Sequence, residues 1–193
     1  MMRLIFAAFT LLFFTGFGGQ PIAMMGIKIN DAKTVLQNIK LKVVSSAEGM
    51  TKYSTANGND FSLTVKNNKV VYMENDWRQN LSGETPLFSD FKFGKTSLKD
   101  IRKAFGTNGF TYERRGAYTT KTDLIEFNCF EFDSTNNEVL VIITKVPLSG
   151  QITEQNVGES LKLDAIIIAG EKYLDQIWGK AKTFDPNYKK IKI

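Results

Sequence analysis

Asp123, Glu126, Glu131 and Asp133 crowd one stretch of the chain. Glu131 and Asp133 are two residues apart, a spacing that puts both side chains on one face of an extended strand. Paired carboxylates perform acid–base chemistry when their surroundings drive their pKa values apart. Acidic residues that approach a hairpin turn are more commonly solvated, however, and residues 119–123 read as a loop. Asn57-Gly58-Asn59 and Asp60 imitate part of a calcium loop, but the full ligand series is missing and a turn is the expectation. The chain has no histidine. That removes the Ser–His and Cys–His pairings, the commonest proton shuttle near neutral pH and the usual catalytic zinc shell. Neither a phosphate-cradling glycine loop nor a nucleophile elbow occurs. The single cysteine, Cys129, sits in the aromatic run Phe127-Asn128-Cys129-Phe130-Glu131-Phe132 and is expected to be a buried, slowly reacting thiol. No catalytic residue, metal ligand or cofactor is expected, and the chain reads as a non-enzyme.

Residues suited to binding are easier to find. Tyr112, Arg114, Arg115 and Tyr118 cluster within seven residues, and Trp77-Arg78 closes an earlier strand-like run. Tyr, Trp and Arg dominate protein interfaces because they offer large area with few rotors, or forked donors. Alternation from Phe110 places Tyr112 and Arg114 on one face, with Arg115 and Tyr118 flanking the turn at Gly116-Ala117. The net charge of +5 is mild, and lysines interleave with acids. Without a dense basic run or a known motif, a nucleic-acid partner is not expected.

These residues must be positioned by the elements around them. Met1-Met2-Arg3, the apolar run 4–14 and the exit through Gly16, Gly18, Gly19 and Pro21 form the pattern of a secretory signal peptide, cut after Gly18 or Ala23. No cysteine stands at that exit, so neither a lipid anchor nor a stable membrane anchor after cleavage is expected. Residues 1–23 are therefore assigned to the signal and 24–193 to one α+β domain, located in the periplasm or secreted. Within it, Val35 and Ile101, Ile39 and Phe105, and Phe61 and Phe127 each lie 66 residues apart. Asp31 and Ser97 cap the two helices that this repeat predicts. Alternating runs at 61–65 and 69–73, and at 127–132 and 138–143, predict hairpins turning at Asn67-Asn68 and Asn136-Asn137. The two repeat-like units span about 26–78 and 92–147, joined by a polar linker. Phe127 and Cys129 share one strand face while Phe130 and Phe132 share the other, so either a bulge lies near Cys129 or the strand is buried on both sides. Residues 163–169 are expected as a strand and 171–180 as a helix, Gly170 being the reason to prefer this to one long helix.

Phe93-Gly94-Lys95-Thr96-Ser97-Leu98-Lys99-Asp100-Ile101-Arg102-Lys103-Ala104-Phe105-Gly106 resembles a capped-helix signature found in two families. One comprises the small lipoproteins of the outer-membrane barrel assembly machinery, the other the β-lactamase inhibitory proteins. The resemblance covers about 14 residues strongly and the duplicated order more weakly. This chain lacks the acylated cysteine of the first and the paired disulfide cysteines of the second. What the resemblance implies is a protein-binding architecture. The expected fold is α+β: tandem helix plus antiparallel β-hairpin units forming a sheet with helices packed on one side, and a C-terminal strand-helix extension. The expected function is an exported protein-binding module of inhibitor or immunity-like type, its partner a protein of the cell envelope or outside the cell. An envelope assembly accessory protein and a carboxylate-dependent enzyme are the alternatives.

Overall fold

The computed structural model describes residues 22–47, 49–79, 83–133 and 137–192. The expected signal residues 1–21 and Asn136 of the second turn lie outside the described residues. A short ribbon of β1 (Ala23–Met24) and β2 (Ile27–Lys28) turns through Met25 and Gly26, both with positive φ. A 3-10 helix (Lys33–Asn38) follows, then β3 (Lys42–Ala47), β4 (Met50–Ser54), β5 (Asp60–Lys66) and β6 (Lys69–Asp76). The second half contains α1 (Leu98–Phe105), β7 (Phe110–Tyr112), β8 (Ala117–Thr119), β9 (Asp123–Glu131) and β10 (Glu138–Pro147). A single turn, α2 (Val157–Ser160), leads to β11 (Lys162–Gly170), α3 (Glu171–Trp178) and β12 (Lys182–Phe184).

Ten of these strands form one antiparallel sheet in the order β12-β7-β9-β10-β11-β6-β5-β4-β3, with β8 also on β9. Apolar residues on its two faces make two separate cores. Phe61, Leu63, Met73, Phe130, Leu140, Ile142, Ile166 and Ile168 belong to the first, covered by the N-terminal ribbon, Phe91, Phe93 and α1. Phe127, Cys129, Val139, Val141, Ile143, Ala165 and Ile167 belong to the second, under α3. The central strands are buried on both sides. The register of β9 on β10 runs unbroken from Val139↔Glu131 to Pro147↔Asp123, so no bulge lies near Cys129. Cys129 is fully buried, and loss of water pushes its thiol up to about 12.

This architecture overturns the expected tandem arrangement of helix plus hairpin units with helices on one side. The hairpins β5–β6 and β9–β10 exist, and Asn67 and Asn68 take the left-handed conformation that their turn requires. The matching helices do not. Residues 33–38 make a 3-10 stretch with no buried residue, and the Asp31 carboxylate accepts from the Lys28 N–H at 2.8 Å instead of capping it. Val35 and Ile39 make too narrow an apolar stripe to support an α-helix, and β-branched Thr34 and Val35 disfavour one. Residues 42–54 pair as β3 and β4 and extend the sheet. The two longer helices lie on opposite faces, Ile101 of α1 in one core and Leu174 of α3 in the other. Nor are β11 and α3 an extension. The strand sits between β10 and β6 and joins the halves of the sheet. Ile166-Ile167-Ile168 presents apolar side chains to both faces, and only an interior strand covers both.

α1 forms as its sequence dictates. Ser97 and Asp100 make a reciprocal capping box, and Gly106 ends the helix at φ 63°. No helix among the described residues is long and apolar enough to cross a membrane.

Candidate arginine–aromatic binding surface

The turn after β7 gathers most of the predicted binding residues. The Arg115 N–H donates to the Tyr112 carbonyl at 2.8 Å, reversing the chain so that β8 runs along β9. The Arg115 guanidinium then lies over the Phe127 ring, 4.6 Å from its centroid, with Tyr118 at 5.6 Å and Trp178 at 6.0 Å. Tyr118 stacks on Phe127 at 6.0 Å, and Trp178 meets Phe127 edge-on at 5.8 Å. A cation over ring faces is held by their quadrupoles without needing an anion. Neither Arg114 nor Arg115 makes an ion pair among the described residues.

Tyr118 is 41% exposed and Ile177, at the end of α3, 48%. Arg114 is exposed and lies beside Gly179, where α3 ends. The patch therefore presents two arginines and a tyrosine to solvent. Tyr112 is placed otherwise than strand alternation suggested. It is wholly buried, meets Trp178 edge-on and donates through its hydroxyl to Asp175 Oδ1 at 3.2 Å. Burial, and then the Asp175 carboxylate, hold this phenol well above the usual tyrosine range. Tyr112 is thus a support beneath the surface, tying the sheet edge to α3.

Trp77 and Arg78 do not join this patch. They follow β6, and the path from there to β8 crosses β11, β10 and β9, roughly 19 Å at ordinary strand spacing. Trp77 packs where a side chain on Gly94 would stand, which explains the glycine there. The Arg78 guanidinium pairs with Asp60 at 2.8 Å, and Lys52 pairs with the same carboxylate at 2.7 Å. The calcium-like turn thus ends in an aspartate already held by two cations. Among the described residues no three His, Cys, Asp or Glu side chains are grouped to hold a metal ion.

The four carboxylates singled out for chemistry are dispersed to separate partners. Glu126 pairs with Arg102 at 3.0 Å, Glu131 accepts from the Tyr188 hydroxyl at 2.6 Å, and Asp133 lies 3.8 Å from Lys192. Asp123 accepts from the Thr122 hydroxyl at 2.6 Å. The structure brings together a different pair, Glu74 and Asp76, two apart on β6. Burial first, then the charge and hydrogen bond of Glu74, push the Asp76 carboxyl up to about 7. The signal for this pair was present in the i, i+2 spacing at the end of an alternating run. The contribution of Trp178 to the arginine patch carried no such signal, because it reaches the patch only through tertiary packing.

No family model matches the chain, and no curated protein matches it. A crystal structure of a cysteine-rich secretory protein from Staphylococcus aureus subsp. aureus Mu50 is similar at TM-score 0.48 and 13% identity, over 89% of this chain and 52% of that one. The chain thus spans about half the length of that structure.

Proposed function

We propose that the protein is an exported protein-binding module of inhibitor or immunity-like type, acting in the periplasm or outside the cell, and that it engages its partner through Arg114, Arg115 and Tyr118. The observation that carries this reading is the Arg115 guanidinium 4.6 Å from the Phe127 centroid beside a half-exposed Tyr118, with no anion of its own. A surface that holds an arginine stretched over aromatic rings has already met part of the ordering cost of binding. The N-terminal charge, apolar run and glycine-rich exit support export. The experiment is capture from an envelope fraction with the native protein and with Tyr118→Ala and Arg115→Ala variants, followed by affinity measurement on the partner recovered. Each variant is expected to remain folded and to lose about 2 kcal/mol of binding, as truncated hot spots do. Unchanged affinity in both would remove this surface from the interface.

A further inference from the structure

A crevice between α1 and the C-terminal segment holds buried donors without acceptors. Arg102 reaches from α1 across β9, where its Nη2 donates to Glu126 Oε1 at 3.0 Å and to Asn128 Oδ1 at 2.5 Å. The second bond orients the amide. A guanidinium only donates, so the atom facing it is the carbonyl oxygen and Nδ2 is turned away. Asn128 is 1% exposed, and its Nδ2, like Arg102 Nε, is buried with no hydrogen-bond partner. A buried donor left in this state destabilises the fold unless something else supplies an acceptor.

Both residues line a cavity of about 250 Å³, together with Asn108, Thr111, Thr183 and Asp185. The Asp185 carboxylate is already engaged, accepting from Asn108 Nδ2 at 3.2 Å and from the Asn187 N–H at 2.8 Å. A wider groove of about 810 Å³ shares Arg102, Asn108 and Pro186 with this cavity and adds Lys99, Lys103 and Lys189. Lys99 is paired with Glu159 at 2.5 Å, whereas Lys103 and Lys189 make no ion pair among the described residues. Glu154 on the groove wall and Asp185 in the cavity also make no ion pair among the described residues, so Lys103 and Lys189 stand against two carboxylates.

We propose that this crevice is an anion-binding site for a carboxylate or phosphate group. Its oxygens accept from Asn128 Nδ2 and Arg102 Nε, and Lys103 and Lys189 supply the attracting field. The orphaned groups decide the chemistry. Both are donors, and an anion brings acceptors alone, whereas a saccharide hydroxyl brings a donor with each acceptor. The site lies on the sheet face opposite the arginine–aromatic surface and stands independently of the function proposed for that surface.

The test is a titration of ¹⁵N-labelled protein with sodium phosphate and, separately, sodium acetate, following the Asn128 Nδ2 and Arg102 Nε resonances. Sodium chloride at equal ionic strength and glucose serve as references. Saturable shifts with phosphate or acetate and not with the references are expected, and the stronger of the two identifies the anion type. Asn128→Asp replaces the donating amide with an acceptor while keeping a partner for Arg102, and is expected to weaken binding about tenfold or more. Lys103→Gln combined with Lys189→Gln alters only exposed residues and is expected to weaken it several-fold at unchanged thermal stability. Three results would each overturn the proposal: shifts that chloride reproduces, a response to glucose without one to either anion, or native affinity in both variants. A water resonance at Asn128 Nδ2 that persists at the highest phosphate concentration would overturn it too, showing that the cavity holds water only.

Discussion

Arg115 and Asp76 are polar residues at the margin of the same buried face, and they meet the cost of their position in opposite ways. The Arg115 guanidinium lies against the rings of Phe127, Tyr118 and Trp178, whose faces attract a cation. Asp76 lies beside Glu74 with little water, and its carboxyl rises from the usual 3.8 to about 7. Asp60, opposite Asp76 on β5, is also raised by burial, but hydrogen bonds from Lys52 and Arg78 outweigh that and hold it below its usual value. The two carboxyls tilt stability in opposite directions. Between about pH 4 and 7 the folded state holds a proton on Asp76 that the unfolded chain has released, so this contribution is complete in acid and is lost as pH rises. The Asp60 contribution is present above its unfolded pKa and lost as pH falls. Asp76→Asn is therefore expected to flatten the fall in stability between about pH 4 and 7 and to raise stability near pH 8 by about 1–2 kcal/mol, after allowing for proton sharing with Glu74. Urea unfolding across that range measures it, and a native protein whose stability does not fall there would show that Asp76 ionises normally.

Among the elements, α1 is the most locally encoded. Ser97 accepts from the Asp100 N–H at 3.1 Å, and the Asp100 carboxylate reaches back to Ser97, which draws that carboxyl below its usual value. The helix also buries Leu98 and Ile101 and packs Phe105 against Phe130 at 4.9 Å. Ser97→Ala is expected to cost about 1 kcal/mol. Because α1 carries Arg102, the same change should loosen the crevice without moving the arginine–aromatic surface on the other face. Thermal unfolding gives the first quantity, and amide exchange over residues 97–105 locates it. A loss spread evenly over the molecule would contradict a local cap.

At the scale of the molecule, the sheet is one body because β11 bonds to both β10 and β6. Ile166 is fully buried at this junction. Ile166→Ala is expected to destabilise the protein by about 3 kcal/mol and to lower a single cooperative transition. Two separate transitions would show instead that the halves fold independently, as two tandem units would. The proposed export makes a further demand on the whole chain. The exported form is expected to lack the first 18 to 23 residues, which intact-mass measurement decides, and a full-length chain in a membrane fraction would overturn the reading of that segment as a cleaved signal.

Local chemistry was enough to read several features from the residues alone. The N-cap at Ser97, the Asn67-Asn68 turn, the alternating hairpins, the break at Gly170 and the burial of Cys129 all depend on neighbours within a few positions, where propensity and periodicity act directly. The matching offsets at Val35 and Ile101 misled for the same reason. Spacing records that two segments share a pattern, but whether a short apolar stripe becomes a helix depends on what covers it, and in residues 33–38 Val35 and Leu36 are only partly covered by the core and no residue is fully buried. The place of β11 between β10 and β6, the division of the helices between the two faces, and the meeting of Arg115 with Trp178 or of Arg102 with Asn128 were decided by tertiary structure. In each case the partners come from distant parts of the chain. Strand order is chosen by burying apolar area on both faces of the whole sheet at once, a collective quantity that no window of sequence contains.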